Sequence, residues 1–209
     1  MPLHITATDL LLIVDIQPDF CPGGPLAVAE SDRVIAPINA LMDRFSHVAA
    51  TQDWHPPDHV SFASNHPGRR PFETVELPYG AQTLWPDHCM QGTSGAALHP
   101  KLRLEPIELI IRKGFRRDID SYSAFLENDR RTPTGLAGYL RERGFDRIVI
   151  AGLALDYCVR YSAEDARQMW FDTVVVTDAC RAIAEGSALG SAMHSLERAG
   201  VMFVTCADF

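Results

Sequence analysis

Six short apolar runs, several rich in β-branched residues, punctuate this chain: Leu10–Ile16, Val48–Thr51, Ile107–Ile111, Ile148–Ala151, Thr173–Thr177 and Val201–Thr205. Runs of this length suit buried strands. Between them lie amphipathic stretches at about 32–45, 134–143, 156–170 and 187–199, which read as helices returning the chain to the next strand. Such alternation predicts an α/β fold, a doubly wound, six-stranded and mainly parallel sheet with helices on both faces. Pro37 is expected to kink or delay the first helix. The 209 residues suffice for one core, and no long polar linker divides them, so a single domain over 1–209 is expected.

The interval 53–106 departs from this rhythm, with many prolines, histidines and glycines and little periodicity. Trp54, Phe62, Phe72, Tyr79, Leu84 and Trp85 give it apolar anchors that disordered segments lack. A loop this long with such anchors predicts a folded excursion that builds a site.

The formal net charge of −8 opposes a polyanionic partner, since nucleic-acid binding rests on basic patches. The cluster Arg112, Lys113, Arg116 and Arg117 is the main local exception. No apolar run approaches the ~20 residues that span a bilayer. Five cysteines cannot all pair within one chain, and the N-terminus lacks a signal-type apolar segment, so a reduced, cytoplasmic protein is expected. Its partner is expected to be a small molecule, with the oligomeric state left open.

Three strand ends carry matched chemistry: Asp15 closes the first run, Lys113 the third, and Cys158 follows the fourth. The carboxyl ends of parallel strands are where ligands bind. A cysteine on the first turn of a helix is expected to feel the dipole and to have its pKa lowered. Asp15 could act as proton acceptor, Lys113 as the cation beside a thiolate, and backbone amides before Cys158 as oxyanion donors. Taken singly, Asp15 reads as a turn or capping carboxylate, Lys113 as a solvated charge, and a free cysteine as a packed apolar side chain. Their joint placement favours catalysis.

A second group lies in the excursion, where Asp53-Trp54-His55 follows a strand and His59 comes four residues later. Carboxylate and imidazole together suit Zn²⁺, Mn²⁺ or Fe²⁺. His66 and His88 compete for a remaining position, and periodicity does not choose between them.

Taken in order, Val14-Asp15-Ile16-Gln17-Pro18-Asp19-Phe20 with Gly23-Gly24, Thr51-Gln52-Asp53-Trp54-His55, Asp58-His59-Val60-Ser61-Phe62, Trp85-Pro86-Asp87-His88-Cys89, Lys113-Gly114 and Asp156-Tyr157-Cys158-Val159 resemble motifs of the isochorismatase-like cysteine hydrolases. Within them they resemble the nicotinamidase branch. The resemblance spans nearly the whole chain. It implies a catalytic triad of Asp15, Lys113 and Cys158, and one divalent metal, zinc first and manganese or iron as alternatives, on Asp53, His55, His59 and His88. His66 then becomes a supporting residue. It further implies a ring pocket of Phe20, Trp85 and Tyr122, a cis Leu153–Ala154 bond, and an oxyanion hole from the Ala154 and Cys158 amides. The implied reaction is hydrolysis of nicotinamide to nicotinate and ammonia through a cysteine thioester, in NAD salvage, with pyrazinamide as a further substrate. Leu155 and Tyr157 depart from the pattern, where relatives often carry threonine and some carry histidine.

Two other readings stand beside this one. Another small-amide hydrolase of the superfamily would share the triad without needing the metal ligands. A doubly wound binding module would leave Cys158 a packed or regulatory thiol, but no Gly-x-Gly-x-x-Gly or Cys-x-x-Cys pattern supports it.

Overall fold

The computed structural model describes residues 3–209. Its strands are β1 (Asp9–Val14), β2 (Val48–Asp53), β3 (Thr74–Leu77), β4 (Gly80–Thr83), β5 (Ile107–Lys113), β6 (Arg147–Leu153), β7 (Asp172–Arg181) and β8 (Met202–Val204). Its α-helices are α1 (Ile35–Met42), α2 (Leu136–Arg143), α3 (Arg160–Gln168) and α4 (Gly186–Arg198). Six strands form one sheet in the order β5-β2-β1-β6-β7-β8, and every neighbouring pair is parallel.

Side chains of a strand alternate between faces, and here both faces are covered. Leu11, Ile13, Val149, Ala151, Val174 and Val176 pack with Ile35, Ile38 and Met42 of α1. Leu10, Leu12, Val14, Ile148, Ile150 and Val175 pack with Leu136 and Leu140 of α2, Ala163 and Ala166 of α3 and Leu196 of α4. This is why β1 reads as an unbroken apolar run rather than an alternating one. Each fully buried leucine or isoleucine contributes about 1.5–3 kcal/mol of transfer free energy.

Pro37 delays its helix rather than kinking it. A 3-10 turn at Ser31–Val34 leads into α1, which places Pro37 in the first helical turn, where its missing N–H costs nothing. The expected helix over 156–170 begins later and differently. Leu155–Val159 forms a π-helical turn, and α3 starts only at Arg160. The excursion contains an antiparallel hairpin of β3 and β4. Phe62, Leu84 and Trp85 anchor the segment in the interior.

The chain leaves β1 towards β2 and β5, then crosses back over β1 to β6 and continues to β7 and β8. Winding therefore reverses between β1 and β6. Ligands of open α/β sheets bind outside the carboxyl ends of strands at such a reversal. Asp15 follows β1 directly, and Cys158 lies one turn beyond β6.

Candidate active site

Asp15 is buried and left-handed, with φ 47°. Its N–H donates to Thr51 Oγ1 at 3.1 Å, and that hydroxyl donates back to Asp15 Oδ1 at 2.6 Å. Thr51 on β2 thus fixes the carboxylate from both sides. Close approach of β6 to β1 completes the corner, since a Cβ on Gly152 would meet the Val14 carbonyl oxygen at 2.2 Å.

Lys113 ends β5 and is buried, so its ammonium needs partners. Nζ lies 2.8 Å from Asp15 Oδ2 and 2.9 Å from Asp53 Oδ1, and it donates to the Ser121 carbonyl at 3.3 Å. It also reaches Cys158 Sγ at 3.3 Å. The structure therefore brings Asp15 and Cys158 within contact of the one Lys113 ammonium. Burial alone would push the lysine pKa down, but the two carboxylates hold it well above its ordinary value. Asp15 is raised, because burial outweighs the attraction of Lys113.

The expected lowering of the Cys158 pKa does not occur. Burial pushes it well above the ordinary thiol value, with Asp15 and Asp53 adding to the rise and Lys113 opposing it. The cysteine sits buried in the π-turn ahead of α3 rather than on an exposed helix end. A protonated thiol in hydrogen-bond contact with Asp15 is the resting form this environment favours.

Asp53, His55 and His88 converge with ligand atoms all within 4.8 Å of one another. His55 Nδ1–H donates to the Gly114 carbonyl at 2.8 Å, and His88 Nδ1–H to the Pro86 carbonyl at 2.7 Å. Those bonds turn both Nε2 atoms towards Asp53 Oδ2, that of His55 at hydrogen-bond distance, 3.1 Å, and that of His88 at 3.5 Å. Imidazoles anchored to backbone carbonyls through Nδ1, with Nε2 turned to a shared carboxylate, are typical of metal ligands. The donor set fits a divalent metal. Although burial raises Asp53, His55 and Lys113 hold it well below the usual carboxylate range.

His59, the fourth residue of the expected ligand set, belongs to a second group with His55 and Asp120. Its ring centroid is 4.2 Å from that of His55. Nδ1 pairs with Ser61 Oγ at 2.7 Å, and Nε2 lies 3.3 Å from the Ile119 carbonyl. His66 stands apart, donating from Nε2 to the Val60 carbonyl at 2.7 Å.

One pocket joins Cys158 to the metal-ligand cluster. Asp53, His55, His88, Asp120, Ala154 and Cys158 line it together with Phe20, Leu26, Trp85, Tyr122, Tyr157 and Ile183. Phe20 lies 5.4 Å from the His88 ring, and Trp85 Nε1 donates to the Tyr122 hydroxyl at 3.2 Å. The Leu153–Ala154 bond is cis. Of the two departures from the family pattern, Leu155 packs in the core, whereas Tyr157 stacks edge-on against Trp85 at 4.9 Å as part of the pocket wall.

Sequence reading missed Asp120 and Ile183. Asp120 follows the exit of β5 with no motif around it, although acids beyond a strand's carboxyl end are the place to look. Ile183 is delivered by Asp156, whose carboxylate accepts the N–H groups of Ile183 and Ala184 at 3.0 and 2.7 Å.

A parallel sheet wound in this way, with a cysteine, lysine and aspartate gathered where the winding reverses, defines a cysteine hydrolase of the isochorismatase class. The chain belongs to that family: the isochorismatase domain model matches residues 9–208. The nicotinamidase of Acinetobacter baylyi is 53% identical over 195 residues, covering 93% of this chain and 91% of that protein. A solved structure described as the Acinetobacter baumanii nicotinamidase pyrazinamidease superposes with a TM-score of 0.96 at 49% identity, covering 98% of this chain and 99% of that one. The pyrazinamidase of Pyrococcus horikoshii, solved in complex with zinc, superposes with a TM-score of 0.77 at 32% identity, over 95% of this chain and 99% of that one.

Proposed function

We propose that this protein hydrolyses nicotinamide to nicotinate and ammonia, and accepts pyrazinamide, with Cys158 as nucleophile, Asp15 as acid–base and Lys113 as the cation that steadies both. The observation that carries the reading is the single ammonium of Lys113, 2.8 Å from Asp15 and 3.3 Å from Cys158 Sγ, beside a pocket that also holds a metal-ligand cluster. High identity to nicotinamidases supports the choice of substrate.

In this account Asp15 takes the Cys158 proton as sulfur attacks the carboxamide carbon. Lys113 favours the thiolate while it lasts. The Ala154 and Cys158 amides receive the oxyanion, a type of contact worth about 2.7–4 kcal/mol per donor. Asp15 then protonates the departing nitrogen, which leaves as ammonia, and the nicotinoyl group remains on sulfur as a thioester. Water, its proton taken by Asp15, attacks that thioester and releases nicotinate and the thiol. Phe20, Trp85 and Tyr122 clamp the ring and exclude bulk water.

Asp53, His55 and His88 would hold a divalent metal, zinc by analogy with the Pyrococcus protein, with His59 beside them as a fourth expected ligand. When bound, the metal supplies a Lewis-acidic position for the pyridine nitrogen and so orients the amide towards Cys158. The place of action is the cytoplasm in NAD salvage, on a small molecule rather than a nucleic acid or a membrane. Among the described residues no helix is long and apolar enough to cross a membrane. Ammonia release from nicotinamide tests the reading directly. It should be robust in the metal-loaded protein, absent in folded Cys158→Ala, and far weaker with benzamide, which lacks the ring nitrogen. Undiminished release by Cys158→Ala would refute it.

A further inference from the structure

A second cavity, of about 260 Å³, adjoins Tyr122 and Tyr157, two residues it shares with the active-site pocket. Arg160 and Tyr161 face it, and its floor is rich in alanine. The Arg160 guanidinium lies over the Tyr161 ring, 4.6 Å from its centroid. Its Nε is buried without a hydrogen-bond partner. Among the described residues no carboxylate or carbonyl pairs with this guanidinium, so its Nη groups are left for the oxygens of a ligand. The acid in the cavity wall, Asp156, is turned to the backbone N–H groups of Ile183 and Ala184 and forms no ion pair with Arg160.

We infer that this cavity is a binding site for a small aromatic monocarboxylate, held by the Arg160 guanidinium and the faces and edges of Tyr122, Tyr157 and Tyr161. A planar guanidinium matches a carboxylate with paired donors, and three tyrosines beside it suit a flat ring. If the proposed function is right, on which this clause alone rests, the enzyme makes such an anion from a neutral substrate. The second cavity then retains product beside the pocket where it forms, and nicotinate inhibits without displacing nicotinamide.

Benzoate, which lacks the ring nitrogen, tests the site apart from the metal and from turnover. Calorimetric titration of full-length, metal-loaded Cys158→Ala should show benzoate binding that persists under saturating nicotinamide, and no matching signal from neutral benzamide. Adding Arg160→Gln should weaken benzoate by about tenfold or more, and Arg160→Lys should restore part of the loss. In the otherwise unaltered enzyme, Arg160→Gln should leave kcat and KM for nicotinamide unchanged while making nicotinate a purely competitive inhibitor. Equal benzoate affinity with and without the guanidinium, equal binding of benzamide, or full displacement by nicotinamide would overturn the proposal. Failure of nicotinamide hydrolysis would sink the functional reading and leave the benzoate comparison standing.

Discussion

Lys113 and Asp53 form the hinge between the two halves of the site. Lys113 Nζ lies 2.9 Å from Asp53 Oδ1, while Oδ2 of the same carboxylate faces His55 Nε2 at 3.1 Å. One buried side chain therefore holds the ammonium beside Cys158 and offers a ligand atom to the metal cluster.

Asp53→Asn should consequently do more harm than metal removal. Chelation leaves Lys113 with both carboxylate partners, whereas the amide withdraws one of them and loses a metal ligand as well. We expect kcat of Asp53→Asn to fall below that of the chelated parent by about tenfold or more, the scale of one charge-assisted hydrogen bond. Equal residual rates in steady-state ammonia assays would show that Asp53 serves the metal alone.

Gly114 occupies the left-handed region at φ +63°, and a Cβ there would stand 2.3 Å from His55 Cε1. Gly114→Ala should push His55 off the carbonyl that anchors it. Zinc affinity, measured by chelator competition, should drop by about 10–100-fold, the usual cost of disturbing a ligand's support. Unchanged affinity in the folded variant would contradict this geometry.

The buried triad of charges also bears on folding. Lys113→Met strands the carboxylates of Asp15 and Asp53 without their cation, and breaking a buried pair in this way costs about 3–5 kcal/mol. Urea denaturation should show that loss, and the double change Lys113→Met with Asp15→Asn should recover part of it. A double variant no more stable than Lys113→Met would argue against direct pairing of Lys113 with Asp15.

His59 gives a pH signature in the metal-free protein. Burial, with neighbouring His55 adding to it, pushes its pKa down from 6.5 to about 4. Between those values the unfolded chain binds more protons than the folded one, so this contribution is complete above the unfolded pKa and is lost as pH falls towards about 4. Melting temperatures of the parent should decline through that window more steeply than those of His59→Asn. Parallel profiles would place the histidine in a solvated environment instead.

Much of this arrangement could be read from residues before any coordinates. The core strands were legible because two-sided burial demands uninterrupted apolar runs such as Leu10–Val14. β7 runs to Arg181, beyond the expected Thr177, because a register shift against Ile150 and Gly152 lets polar Asp178 continue the strand. The β3–β4 hairpin escaped notice since its residues are half-exposed and short of apolar character. Asp15, Lys113 and Cys158 could be nominated from strand ends, but the protonation of Cys158 could not. It depends on how deeply the thiol is buried, a property of packing rather than of neighbours in the chain. Asp120 reaches the pocket only through the way the chain turns back after Gly114, which no local pattern announces.

The central claim is that sulfur of Cys158 carries the acyl group between the two half-reactions. Acid quenching during turnover of nicotinamide, followed by peptide mass mapping, tests it most directly. The account predicts a nicotinoyl thioester on Cys158, on none of Cys21, Cys89, Cys180 or Cys206, and absent in Cys158→Ala. Full ammonia release with no adduct on Cys158 under conditions that trap thioesters, or an adduct on another residue, would contradict it.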